Sequence, residues 1–346
     1  MRSLGLVLWL LLGAWTICAT FFTAPFSFAV STTLAAVVGV VFLVASRDRW
    51  LGRRAAGATG AKFPFSVLAV LIAAIVIAWY CTRVPDPNQV WAADHAQMPM
   101  VRIDGDQVRV KNVRNFTWRT ATDFTPAYYD RTFDVSKINS MYYLIVPLRG
   151  IDLVAHVFVC FGFSDGQFVA VSVEGRRVEG RPYRIIPSMF QQFQLIYVVG
   201  DERDVVGKRG AIWKHPVRFY PAASTDERKR ALFVDMMRRA NHLEYYPEFY
   251  HLLTNNCMNN ITDHMRMLGG RPLPSDLRLL LTGLSDRLAY DYGFIDTDLP
   301  FEKAREVFLI DEWMRSAPLD ETFSQRLRDM LNQRVAAARR ELGLAN

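Results

Sequence analysis

From Ser3 to Ser46 the chain runs for 44 residues without an Asp, Glu, Lys, Arg or His. One hydrocarbon crossing needs only about 20 residues, so this run reads as two apolar helices with the turn at Pro25, between Phe22 and Phe26. A third charge-free run covers Phe63–Thr82. Backbone carried into lipid must satisfy its own hydrogen bonds, which leaves the helix as the form for such isolated segments. Between the second and third runs lies RDRWLGRRAAGATGAK, with Arg47, Arg49, Arg53, Arg54 and Lys62. Positive loops stay on the cytoplasmic side, so this segment and the N-terminus are expected inside and everything after Arg83 outside. Were the first run a cleaved leader, the other two would still return the chain to the outer side.

Charge supports that division. Residues 1–83 hold seven basic groups against one acidic group, and the rest of the chain holds 34 against 33. The net charge of +7 is thus concentrated at the membrane flanks. The outer segment lacks the basic excess of a nucleic-acid-binding face, and a nucleic-acid partner is set aside. A hydrophobic content of 51% and only four cysteines exclude disorder and a disulfide scaffold.

Residues 84–346 open with a connector, VPDPNQ, and the rest suffices for one large domain. Its core is expected at about 100–300, with C-terminal helices over 301–342. Segments rich in β-branched and aromatic residues predict strands at Gln107–Val113, Tyr142–Pro147, Val154–Phe163, Gln167–Glu174 and Gln194–Val199. Ser224-Thr-Asp-Glu227 reads as a capping box opening a helix to about His242. Further helical patterns cover Asn256–Leu268, Asp276–Tyr290, Phe301–Ser316 and Glu321–Leu342. Strands first and helices later predict an α+β fold.

The hairpin around Ser164-Asp165-Gly166 predicts its own register. A three-residue loop with Gly166 in the left-handed position pairs Phe163 with Gln167 and sets His156 opposite Glu174. One face is then wholly apolar, with Val157, Val159, Phe161, Val169, Val171 and Val173. The other carries His156, Phe158, Cys160, Phe168, Ala170, Ser172 and Glu174. A two-residue loop would mix polar and apolar residues on both faces.

In TNNCMNNI, Asn256 or Asn255 can cap a helix whose first turn holds Cys257. Free N–H groups and the positive helix end favour thiolate there and offer donors to an oxyanion. His156 can serve as the base, with Glu174 orienting its other ring nitrogen. A buried core cysteine and a strand histidine satisfied by a neighbour are the bland alternatives. A Cys160–Cys257 disulfide would disable the nucleophile. His251, Cys257 and His264 do not form a zinc pattern, so no metal site is expected. Asp201-Glu-Arg-Asp204 reads as a loop ion-pair cluster. Arg176 and Arg177 could meet a phosphate, or be solvated. The final helix, with Arg334, Arg339 and Arg340, suits either lipid headgroups or packing on its own domain.

NVRNFTWRTATDFTPAYYDRTFDVSKI (Asn112–Ile138), AHVFVCFGFSDG, VSVEGR, YVVGDERDV, TNNCMNNI and SDRLAYDYGFIDTDLP follow one another along the chain. Together they resemble, over roughly residues 100–300, the bacterial family that shares the N-terminal periplasmic domain of the lipoprotein intramolecular transacylase Lnb. The order of histidine strand before cysteine helix is similar to circularly permuted papain-like thiol enzymes, including the lecithin:retinol acyltransferase group. The resemblance implies Cys257 as nucleophile, His156 as base and Glu174 as third residue; Asn256, Arg176 and Arg177 are the candidate substrate-binding residues. Met258 and Asn259 depart from the small hydroxyl residues expected after the cysteine. It also implies acyl transfer through a thioester, a phospholipid or lipoprotein ester as donor and no diffusible cofactor; with the three apolar runs, the expectation is a multi-pass protein of the bacterial inner membrane with its large domain in the periplasm. An amidase or peptidase acting on cell-wall peptide and a non-catalytic envelope scaffold are the competing functions. The first would need an open polar cleft, whereas acyl transfer needs an apolar channel.

Overall fold

The structure is a computed structural model that describes residues 2–52, 64–269 and 276–344. Arg53, Arg54 and Lys62, assigned above to an inner loop, lie outside the described residues. The chain forms two compact units, Met1–Pro87 with Tyr183–Gln194, and Asn88–Pro182 with Leu195–Asn346.

The first unit holds helices α1 (Arg2–Thr23), α2 (Phe28–Gly52) and α3 (Pro64–Thr82). Each is long and apolar enough to cross a membrane, and the break between α1 and α2 contains Pro25 as expected. Their shared core is Trp9, Val38, Phe42, Ala45, Ala69 and Ala73. Small residues let apolar helices approach closely; at Gly13 a Cβ would lie 2.8 Å from the Phe42 ring. Trp9 Nε1 donates to Ser46 Oγ at 2.9 Å. Helix C-termini leave carbonyls unpaired, and here the Tyr183–Gln194 segment supplies donors. Gln192 Nε2 donates to Phe22 O at 2.7 Å and Gln191 Nε2 to Tyr80 O at 3.1 Å. Phe190 stacks on Phe22 with ring centroids 5.5 Å apart.

The second unit is built on a sheet. Its strands are β1 (Met100–Asp104), β2 (Gln107–Arg114), β3 (Thr117–Trp118), β4 (Phe124–Thr125), β5 (Tyr128–Asp134), β6 (Ile138–Leu148), β7 (Ile151–Phe163), β8 (Phe168–Arg176), β9 (Phe193–Gly200), β10 (Arg218–Pro221) and β11 (Phe249–Tyr250). The sheet order is β1-β2-β9-β8-β7-β6-β10, with β5 against β2 and β11 against β9, while β3 and β4 form a small ribbon. All five predicted strands are present, generally longer than expected. The unpredicted β5 and β10 are edge additions, paired to β2 and β6.

The β7–β8 hairpin has the expected register, with Val159 opposite Val171 and Phe161 opposite Val169. Phe163 N donates to Gln167 O, and Gly166 has φ of +82°. The mixed α+β class stands.

The helices that follow are α4 (Glu202–Val205), α5 (Asp226–Tyr245), α6 (Cys257–Met267), α7 (Ser285–Asp291), α8 (Phe301–Val307), α9 (Asp311–Ser316) and α10 (Phe323–Glu341). Three expectations need correction. The cap of α5 is Thr225, whose side chain accepts from Arg228 N, one residue later than Ser224. The helix expected over Asp276–Tyr290 is broken into short turns before α7, because Gly283 packs onto the backbone of Asp152 so closely that a Cβ would overlap its carbonyl oxygen. The helix expected over Phe301–Ser316 is split because Phe308 O accepts from Phe219 N and Ile310 N donates to Val217 O. The final helix packs on its own domain. Arg328 pairs with Glu202, Arg334 reaches Leu309 O and Arg339 pairs with Asp298.

Candidate functional site

Cys257 is the first residue of α6, and Asn256 caps it. Asn256 Oδ1 accepts from Asn259 N while Asn259 Oδ1 accepts from Asn256 N, a reciprocal capping box. Asn256 thus acts on the helix start, and its amide donates to Leu252 O. The thiol is buried, and burial pushes it above the ordinary cysteine range. The backbone N–H groups of Val157, Met258 and Cys257 itself, with the Arg209 charge, pull the other way without prevailing. The expectation that the helix start alone would acidify this thiol is therefore corrected: desolvation outweighs the dipole. Val157, whose N–H is among the groups favouring the thiolate, is the residue that follows His156 in β7. All four cysteines are free, so Cys160 and Cys257 form no disulfide.

His156 belongs to a second constellation. Its Nε2 lies 2.7 Å from Ser172 Oγ, and Ser172 Oγ donates to Glu174 Oε1 at 2.7 Å. Glu174 itself is 4.0 Å from His156 Nε2. The direct His156–Glu174 contact expected from the register is thus corrected, because the neighbouring Ser172 stands between the two groups. Among the described residues no hydrogen bond joins His156 to the thiol. Burial, reinforced by Arg209, lowers the imidazole to about 3, so it is neutral at ordinary pH.

Glu174 is clamped from other directions. Arg209 Nη2 donates to its Oε1 at 2.6 Å, and His95 Nε2 lies 3.1 Å from its Oε2. Burial alone would raise this carboxyl, but Lys208 and Arg209 hold it well below the usual range. Arg209 and Lys208 sit on a single π-type turn, Lys208–Ile212. The Lys208 ammonium lies 5.2 Å and 4.9 Å from the rings of Trp118 and Trp213. Burial, with help from Arg114, brings it down to about 7.

Arg176 and Arg177, read above as phosphate contacts or solvated side chains, are both held by protein groups. Arg176 donates to His95 O at 3.0 Å and lies 4.1 Å from the Trp91 ring. Arg177 pairs with Asp94. The Asp201–Asp204 cluster is ion-paired as expected, but it forms the short helix α4 and is largely buried. Asp204 accepts from Arg114 Nε and Nη2, Phe116 N and Trp118 Nε1. His95 and Arg209 had no local signal in the sequence. Ser172 did, since it shares the polar hairpin face with His156 and Glu174.

Beside the Cys257 helix lies an apolar cavity of about 460 Å³, lined among others by Met141, Val159, Leu232, Met258, Ile261 and Met265. That volume falls within the range of small-ligand sites. Among the described residues no cluster of His, Cys, Asp and Glu suited to a metal is found.

Residues 124–283 match the model of the Lnb N-terminal periplasmic domain family. No curated protein and no solved structure matches the chain.

Proposed function

From an Lnb-type domain in a chain with three membrane-length helices, we propose a membrane-anchored thiol acyltransferase whose nucleophile is Cys257 and whose base is His156. The observation that carries this reading is the seating of the thiol at a capped helix start, with the backbone N–H of the residue following His156 among the groups favouring its thiolate. Strand histidine before helix cysteine is read as a circularly permuted papain-like arrangement. The acyl donor is a phospholipid or lipoprotein ester at the outer face of a bacterial inner membrane, and the chain crosses that membrane three times.

A raised thiol and a lowered imidazole favour a neutral resting pair. Proton transfer from sulfur to His156 then accompanies attack on the ester carbonyl. A carbon–sulfur bond forms, the carbon–oxygen ester bond breaks, and the proton on His156 goes to the departing alcohol, leaving a lyso product. An amine or hydroxyl next attacks the thioester, and the proton it loses returns to the thiolate through His156. Backbone donors at the start of α6 suit the oxyanion of each step. The cavity beside Met258 supports an acyl chain over a cell-wall peptide, because it is apolar and would bury methylenes at about 0.8 kcal/mol each.

The full wild-type chain, incubated with phospholipid vesicles without an added amine or hydroxyl acceptor and analysed by intact mass spectrometry, is expected to carry a hydroxylamine-labile acyl adduct on Cys257. Cys257→Ala is expected to carry none. A wild-type chain that never acylates with lipid and detergent varied, yet releases peptide from cell-wall material, would replace this reading with the amidase one. Failure of both reactions would favour a scaffold.

A further inference from the structure

The hydrogen bonds around Glu174 fix a proton count that reaches His156. His95, on the short turn Ala93–His95, accepts at Nδ1 from Arg177 N at 3.2 Å. A neutral imidazole with an accepting Nδ1 carries its proton on Nε2, so His95 Nε2–H donates to Glu174 Oε2. Arg209 Nη2 donates to Glu174 Oε1. Glu174, facing one guanidinium and one N–H donor, is an ionised carboxylate and accepts only. Ser172 must therefore give its single hydroxyl proton to Glu174 Oε1. Its oxygen is left with two acceptor positions, one facing Arg209 Nη2 at 3.4 Å and the other His156 Nε2 at 2.7 Å. The proton between Ser172 and His156 can come only from the imidazole.

We propose that Ser172, Glu174 and His95 form a relay of positioning residues that holds the proton of His156 on Nε2 and leaves the lone pair on Nδ1, making Nδ1 the nitrogen available as a base. His95 stands outside the family-matched segment 124–283, in the stretch joining the apolar helices to the sheet, so its part in the site belongs to that preceding stretch. The proposal rests on the reading of His156 as the base, but the tautomer exists whether or not acyl transfer is the reaction. The charged and titratable groups that bear on it are Glu174 on β8, Lys208 and Arg209 on the π-type turn, His95 behind Glu174, and Cys257 on α6.

The test is ring-nitrogen NMR of the full chain labelled with ¹⁵N-histidine in lipid nanodiscs, with the His156 signals assigned from His156→Gln. The wild type is expected to show an unprotonated Nδ1 and a protonated Nε2 for His156 near neutral pH. Ser172→Ala should collapse both into averaged resonances, and Ser172→Thr, which keeps the hydroxyl, should restore them. His95→Leu should likewise mix the tautomers, whereas His95→Gln, with an amide donor in place of Nε2–H, should not. A proton on Nδ1 in the wild type would overturn the relay, as would an unchanged tautomer in folded Ser172→Ala. The expected tautomer in a protein that forms no thioester would leave the relay standing and remove the acyl-transfer reading instead.

Discussion

The apolar helices and the sheet domain solve the same problem, polar groups away from water, in opposite ways. In the helical unit the buried threonine hydroxyls bond their own helix, Thr16 to Leu12 O and Thr23 to Ala19 O. Beneath the sheet, full charges are buried and several are neutralised over long sequence distances. Arg114 meets Asp204, Arg328 meets Glu202, and Arg209 meets Glu174. Local satisfaction tolerates change, whereas distributed satisfaction makes each member depend on the others.

The largest consequence is expected at Asp204. Asp204→Ala removes the acceptor of four hydrogen bonds and strands the Arg114 guanidinium in the interior. A loss of about 3–5 kcal/mol is expected, read from denaturant unfolding of the full chain in detergent. If Arg114→Met with Asp204→Asn recovers most of that loss, charge burial is its source; if not, the packing around Trp118 is.

A second contrast is the response to acid. For a histidine whose folded value is lowered, the unfolded chain binds the proton first, so stability falls as pH drops below about 6.5 and continues to fall toward the folded value of about 3. Glu174 has a lowered carboxyl. Its contribution is present above the ordinary carboxylate range and lost as pH falls below it. Melting midpoints between pH 6.5 and 4 are therefore expected to decline in the wild type and to decline less in His156→Gln. An equal slope in the two proteins would place the acid sensitivity elsewhere.

The smallest effect belongs to the helices. Ser46→Ala removes the bond from Trp9 Nε1 and is expected to cost about 0.6 kcal/mol, the average for such bonds between membrane helices. Unfolding in mixed micelles measures it, and a loss as large as that at Asp204 would erase the contrast.

The two regions also differed in how far residues alone announced them. The apolar helices and the β7–β8 register were legible because they rest on local pattern: charge-free length, alternation, and Gly166 at a left-handed turn. The cap at Asn256 was legible for the same reason. The breaks near Gly283 and Phe308 were not, since each comes from backbone contact with a distant strand. At the site, His156, Ser172 and Glu174 were visible as one face of a hairpin, but the order of their contacts was not. His95 and Arg209 reach Glu174 from 79 and 35 residues away, a distance that no periodicity encodes. The acidity of Cys257 was misjudged because a helix start is a local feature and desolvation is not.

The Tyr183–Gln194 segment has a practical consequence for anyone wishing to handle the sheet domain by itself. Cutting the chain at Pro87 would remove Phe22 and Tyr80, the partners of Phe190, Gln191 and Gln192. A truncated product would carry a sticky loop in its middle, and its behaviour on a sizing column would report that loop before it reported anything about catalysis.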